Sequence, residues 1–324
     1  MSPKISPKTK RIIKKAISWS GLFFFVVAAI MLYIQLSKYP LADIKNALLS
    51  IPMTNIIYAC IASLLGYISL ACYDFLALKY IKHKLAPWKW MLTGFIGFSV
   101  SNNAGHAIVS GGAVRYRMYT RWRFKASEIV KMVTFSGFTY LFGCFGLIVV
   151  GYFMIPSHAY GDSAASLYTT QLVALGSGIG LTAYFLLTIF HKKPVRISNL
   201  SFKIPSFKMA WAQVLLGALD SLLASLVLYF CLIPFVDIPF NIFIGVFIVA
   251  QVLGVFSQVP GGLGVFEGLF LLILPGDNNM AHLFGALIAY RIIYYLMPLI
   301  LSSLVFAAYE WHMHRKRKLT GGLI

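Results

Sequence analysis

The sequence predicts an all-α polytopic membrane protein, and three observations carry that expectation. The 324 residues are 59% hydrophobic and only 11% charged, against roughly 25% charged in an ordinary soluble domain. Six stretches are long and apolar enough to cross about 30 Å of hydrocarbon as helices. The basic residues are confined to a few segments between those stretches. A formal net charge of +19 would suit a nucleic-acid binder, but the total charge is too small for one. A disordered basic chain could not be this apolar.

The expected spans are residues 16–36, 52–78, 132–155, 169–190, 209–233 and 283–309. Residues 16–36 exceed the roughly 7–15 residues of a signal-peptide core and end in no small-x-small cleavage site, so they read as a retained first span. Two further apolar regions are interrupted. Residues 91–113 break at Ser101-Asn102-Asn103-Ala104-Gly105-His106, and residues 241–274 break at Pro260-Gly261-Gly262-Leu263-Gly264.

Lysine and arginine set the orientation. Segments 1–15, 79–90, 114–131, 191–208 and 310–324 together hold 25 of the 28 basic residues. Segment 37–51 holds Lys38 and Lys45, and Arg291 lies inside a span. With the basic segments cytoplasmic, both chain ends are inside. Loops 79–90 and 114–131 then share a side, so residues 91–113 must enter and leave by one face. That requires a re-entrant hairpin with arms of about 10 residues, each rising roughly 15 Å. Residues 241–274 enter and leave by the opposite face, as a deep hairpin or as two nearly full spans.

The chain therefore reads as one membrane domain with internal order: a basic segment and first span (1–51), a repeat unit (52–155), a linker span with its loops (156–208), a second unit (209–309) and a basic tail (310–324). Each unit is span, hairpin, span, and the two enter from opposite sides. This inverted-topology repeat is common among secondary transporters. At an offset of 150 residues Gly111-Gly112 falls on Gly261-Gly262, Arg117 on Glu267 and Tyr140 on Tyr290, while Asp74 and Asp220 are 146 apart. The hairpin register has two solutions. A tip at Gly111-Gly112 brings Arg115 and Arg117 into the membrane; a tip at Asn102–Gly105 leaves them at the cytoplasmic mouth.

Ionisable residues in hydrocarbon are costly and mark functional positions by default. The candidates are Asp74, Arg115, Arg117, Asp220, Glu267 and Arg291. Glu267 follows the glycine-rich break and pairs naturally with Arg291 in the last span. Gly261, Gly262 and Gly264 permit φ > 0 and close approach. The half-helix after them points a positive end to mid-membrane, where an anion such as a lipid phosphate would be favoured. Arg115 and Arg117, in a run that alternates cations with aromatics, suit anionic headgroups. His106 beside the first break reads as a polar turn residue. Cys60, Cys72, Cys144 and Cys231 lie in apolar runs without metal spacing. No hydrolase, nucleotide-binding or metalloprotease motif is present, so no cofactor and no metal is expected, and enzymatic activity is not the favoured reading.

Val259-Pro260-Gly261-Gly262-Leu263-Gly264-Val265-Phe266-Glu267, followed by Ala289-Tyr290-Arg291-Ile292-Ile293-Tyr294-Tyr295, resembles the transmembrane region of lysylphosphatidylglycerol synthases, especially its stand-alone YbhN-like bacterial inner-membrane members. Cys72-Tyr73-Asp74 and Gly111-Gly112-x-x-Arg115-Tyr116-Arg117 fit the same pattern. The resemblance implies lipid handling in the bacterial cytoplasmic membrane. It carries Asp74, Arg115, Gly261, Gly262, Gly264, Glu267 and Arg291 as site residues; Asp220 rests on its burial in a span alone. In two-part members a soluble domain on the C-terminal side makes the aminoacylated lipid from aminoacyl-tRNA, which the membrane region is taken to translocate. No such domain is expected between the last span and Ile324, so aminoacyl transfer is not carried over.

The function expected from these readings is a flippase-like translocase for a phospholipid or lipid-linked anion, passive or ion-coupled. The alternatives are a secondary transporter of a small anion, an intramembrane transferase acting on a lipid carrier, and a non-catalytic membrane partner of a lipid synthase. The expected partners are an anionic lipid and the membrane itself, with a separate lipid-modifying enzyme or a second copy of the chain as further candidates, and no nucleic acid.

Overall fold

The computed structural model describes residues 41–104, 107–154, 164–191, 193–197, 200–257, 259–273 and 280–319. The expected first span at 16–36 and His106 lie outside them. Helix α1 (Leu41–Leu49) leads to Pro52, whose φ of −58° starts α2 (Met53–Ile81). Lys82 ends α2 in the left-handed region, φ 61°, which lets the His83 N–H reach the Leu78 carbonyl at 3.0 Å. Helices α3 (Pro87–Ala104) and α4 (Ala107–Tyr119) form the first hairpin. A short 3-10 turn and Arg123, φ 64°, then redirect the chain into α5 (Ala126–Met154). Glu128 caps that helix by accepting the Lys125 N–H at 2.8 Å.

After α6 (Ala164–Phe190), two three-residue strands, β1 (Val195–Ile197) and β2 (Leu200–Phe202), pair antiparallel within the basic loop. Helix α7 (Phe207–Leu232) opens the second unit. Its hairpin is α8 (Phe240–Phe256), a 3-10 turn at Pro260–Gly262 and α9 (Val265–Ile273). The last element is α10 (Met280–Tyr290), a π-helical turn at Arg291–Leu296 and α11 (Met297–Leu319).

Among the described residues five helices are long and apolar enough to cross a membrane: Met53–Ile81, Ala126–Met154, Gln171–Phe190, Phe207–Leu232 and His282–Arg315. They coincide with the five expected spans that lie within those residues. The first hairpin differs from expectation. Its arms have 18 and 13 residues, or roughly 27 and 20 Å at 1.5 Å per residue, well beyond the short arms that the apolar run alone suggests. The helices extend past the apolar run because protein groups take up the charges on α4. Helix α3 is described to Ala104 and α4 from Ala107, so Gly111-Gly112 lies inside α4 while Gly261-Gly262 lies in the second break. These two glycine pairs, equated at the 150-residue offset, therefore do not occupy equivalent places.

The core is built from α2, α7, α10 and the π turn, with the two hairpins packed against them. Helices α5 and α7 cross at glycine. A Cβ on Gly143 would sit 2.1 Å from the Gly217 carbonyl carbon, so the backbones touch where no side chain intervenes. Gln213 on α7 locks this crossing, donating to Thr139 Oγ1 at 2.9 Å and accepting from the Tyr184 hydroxyl of α6. Outer stripes such as Ile57, Ile61, Leu64 and Ile68 on α2 stay exposed, as a lipid-facing surface requires.

The π turn has an identifiable cause. Pro298 has no N–H to return to the Tyr294 carbonyl, four residues back, and its ring crowds that oxygen. Three consecutive carbonyls are taken by other helices: Ser63 Oγ donates to Ile293 O at 3.1 Å, the Tyr67 hydroxyl to Tyr294 O at 3.0 Å, and Asn103 Nδ2 to Tyr295 O at 3.1 Å. Buried carbonyls need such partners, all the more so where no water is present.

The described parts of the basic segments 79–90, 114–131, 191–208 and 310–324 gather at one end. There the Tyr80 hydroxyl donates to Lys203 O at 2.7 Å, His83 faces Glu128 at 3.9 Å, and Glu310 of α11 meets Arg117 and Arg121. At the other end Asn55 Nδ2 reaches Phe230 O at 2.9 Å and Phe235 packs on His282.

Candidate functional site

The second break meets the end of α3. Gly261, at φ 61°, lies so close to the end of α3 that a Cβ there would be 3.7 Å from Asn102 O and 3.9 Å from Asn103 O. Asn103 in turn bonds the π turn. Two buried ion pairs flank this junction.

The first joins α2 to α4. Arg115 Nε donates to Asp74 Oδ1 at 2.9 Å and Oδ2 at 3.2 Å, and the Tyr119 hydroxyl donates to Oδ2 at 2.8 Å. Asp74 is fully buried and Arg115 is 2% exposed. The guanidinium lies over Phe98, 4.3 Å from the ring centre. It fits there because Gly97 and Gly111 have no side chains: a Cβ on either would come within 3.3 Å or less of Arg115 Nη1. One donor is left over. Arg115 Nη2 is buried without a hydrogen-bond partner among the described residues.

The second pair joins α9 to the π turn. Arg291 approaches Glu267 Oε1 with Nε and Nη2, both at 2.6 Å, the Nε–H being the one aligned as a hydrogen bond. Its Nη1 donates to the Gly261 carbonyl, and the guanidinium lies over Tyr295 and Phe266. Glu267 Oε2 accepts the Gly264 N–H at 2.7 Å, three residues back. The positive end of α9, expected to be open to a ligand anion, is thus occupied by the protein's own carboxylate. Glu267 sits at the third helical position, where an acid can fold back onto the N-cap. Gly261, Gly262 and Gly264 all have positive φ, as expected.

Asp220 stands near the middle of α7 and is 3% exposed. It accepts the Tyr73 hydroxyl at Oδ2, 3.2 Å, while Oδ1 has no partner among the described residues. Tyr73 and Asp74 are neighbours about 100° apart on α2, so one helix serves both acids. Rings line both clusters. Phe98 packs edge-on against Tyr73 and under Arg115. A separate series, Tyr67, Tyr294, Tyr290 and Phe266, leads to Arg291.

Arg117 does not join this interior. It pairs with Glu310 at 3.1 Å, alongside Arg121 at 2.5 Å, on a half-exposed patch at the basic end. Glu310 opens the segment that the sequence presents only as a basic tail. The sequence does not single out Tyr73, Phe98, Asn103 or Tyr119 as partners of these charges, because an uncharged group shows no partner until the fold brings one to it. The alternation of Arg117 and Arg121 one turn apart was the available clue to Glu310. Among the described residues no group of three or more His, Cys, Asp and Glu could hold a metal ion.

Residues 17–302 match the family described as the lysylphosphatidylglycerol synthase TM region. The chain belongs to that family. It is 33% identical over 305 residues to an uncharacterized Synechocystis sp. protein, slr0712, covering 92% of each chain. It is 27% identical over 308 residues to the inner membrane protein YbhN of Escherichia coli, covering 93% of each. It is also similar to the phosphatidylglycerol lysyltransferase of Staphylococcus xylosus, 28% identical over 325 residues, which are 98% of this chain and 36% of that one. The protein is therefore a multi-pass protein of the inner membrane, related to the membrane part of the lysyltransferases.

Proposed function

We propose that the protein receives the headgroup of an anionic phospholipid, of the phosphatidylglycerol type, between its hairpins and passes it from one leaflet to the other. The two units act as an inverted repeat whose hairpins enter from opposite faces, with both chain ends cytoplasmic. The observation that carries the reading is the spare donor of Arg115. A buried N–H without an acceptor is costly and rare, and here it belongs to a guanidinium, the group that best matches phosphate oxygens. It lies on α4, the arm that packs against α3, and the end of α3 meets the second break at Gly261, where a headgroup crossing the membrane would find polar backbone. Asp74 and Glu267 hold Arg115 and Arg291 in place, so the site attracts an anion without leaving bare cations in hydrocarbon. The exposed apolar stripes offer the acyl chains a continuous lipid surface.

The lysyltransferase relatives are named for a reaction on phosphatidylglycerol, which supports this choice of lipid. A structure in a bilayer containing phosphatidylglycerol tests the proposal. Phosphate density within hydrogen-bond reach of Arg115 Nη2 is expected. Lipid confined to the outer helix faces, with Nη2 satisfied by a protein carbonyl, would overturn it.

A further inference from the structure

Among the described residues three acids are buried in the interior, and two are neutralised by arginine: Asp74 by Arg115 and Glu267 by Arg291. Asp220 is the exception. Around its carboxyl stand Tyr73 and Tyr67 of α2, Tyr140 and Cys144 of α5 and Tyr294 of the π turn. Cys144 also contacts Ser221, the next residue of α7. Helices α6 and α8 contain no Lys, Arg or His, and the His282 of α10 lies at the far end against Phe235. Arg291 of the π turn is engaged by Glu267 and the Gly261 carbonyl, Lys79 of α2 lies over Phe75, and Lys131 stands in the second turn of α5. Among the described residues the ionisable groups around the Asp220 carboxyl are thus phenols and a thiol.

A lone carboxylate in such surroundings is far more costly than a protonated carboxyl, which gives up its charge and keeps a hydrogen bond. One oxygen already accepts from Tyr73, and the other is unpartnered and buried. That is the arrangement of a carboxyl with one oxygen held and one available to carry a proton. We infer that Asp220 is a proton-binding site at mid-membrane, the point at which a proton gradient acts on the lipid path. The coupling rests on the translocation proposed above; the bound proton does not. A sodium ion is a poorer fit. It needs about six oxygens in the manner of other hard cations, and the groups around Oδ1 are phenols and a thiol with one carboxyl.

Infrared difference spectroscopy of the full chain in nanodiscs, titrated with pH, reads this directly. A carbonyl band of a protonated carboxyl is expected near neutral pH. It should shift in D2O, vanish in Asp220→Asn and move to higher frequency in Tyr73→Phe, where the carbonyl loses its donor. The Tyr73→Phe shift keeps the test valid if Asp220→Asn folds poorly. No protonated-carboxyl band in the wild type, a band unchanged in both variants, or a band displaced by sodium at constant pH would overturn the inference. Lipid movement is not part of this readout. A band without lipid translocation would sink only the translocation proposal, and translocation without a band would sink only this one.

Discussion

Asp74 and Arg115 are joined by one guanidinium nitrogen, Nε, which reaches both carboxylate oxygens at 2.9 and 3.2 Å. The pair closes α4 onto α2 in a site from which water is excluded. Neither member is tolerable alone, because each would be an uncompensated buried charge.

Removing one partner should therefore cost more than removing both. Asp74→Ala is expected to lower stability by about 3–5 kcal/mol, the range for breaking a buried pair. Asp74→Ala combined with Arg115→Met should recover a large part of that loss. Thermal unfolding in detergent for the wild type, both single variants and the double variant checks the cycle. Additive losses would show that the two residues do not act as a pair.

The second pair depends on shape as well as charge. Arg291 uses separate nitrogens for Glu267 and for the Gly261 carbonyl, which a lysine ammonium cannot reproduce in one geometry. Arg291→Lys is expected to destabilise by about 1–3 kcal/mol, the cost of a buried polar group left unsatisfied. Arg291→Met, which leaves Glu267 a lone buried charge, should lose more, about 3–5 kcal/mol. Melting temperatures of the two variants, compared side by side, decide it.

Backbone geometry at the second break sets a sharper comparison. Gly261 has φ 61°, and an added Cβ would stand 3.3 Å from Arg291 Nη1. Gly261→Ala should cost about 1–2 kcal/mol for the left-handed conformation alone. Gly268, within α9, has nothing within 4 Å of an added Cβ, so Gly268→Ala should be neutral or mildly stabilising. Denaturation of the two variants separates a conformational need for glycine from a merely compositional one.

At the basic end the charges are partly solvated. The Glu310 side chain is 25% exposed and Arg117 35%. Glu310→Gln is accordingly expected to change stability by no more than about 1 kcal/mol, and by less in high salt. Melting curves at two ionic strengths test this.

Much of this architecture is legible in the chain. Apolar length places the five long apolar helices among the described residues to within six residues, and the Pro260-Gly261-Gly262 sequence places the second break. The partnership of Glu267 with Arg291 follows from the cost of either charge alone. The first break is less legible, because Gly111-Gly112 and Asn102-Asn103 both look like turns. Two helical glycines that make room for Arg115 cannot be told from two loop glycines without knowing what lies opposite. The use of Glu267 as a helix cap was hidden for a related reason: the sequence shows a positive helix end and an acid three residues on, but not that they close on each other. The π turn depends on Pro298 and on three donors from α2 and α3, a long-range arrangement with no local signature.

The proposed path carries an anionic phospholipid between leaflets by way of the junction between the hairpins. The most direct measurement is headgroup accessibility in sealed vesicles reconstituted with the full chain and headgroup-labelled phosphatidylglycerol, followed by a membrane-impermeant quencher. Wild-type protein should expose the inner-leaflet label to the quencher, and Arg115→Ala and Glu267→Ala should lose most of that exposure while still inserting. Protection of half the label in wild-type vesicles, equal to that in protein-free vesicles, would contradict the claim.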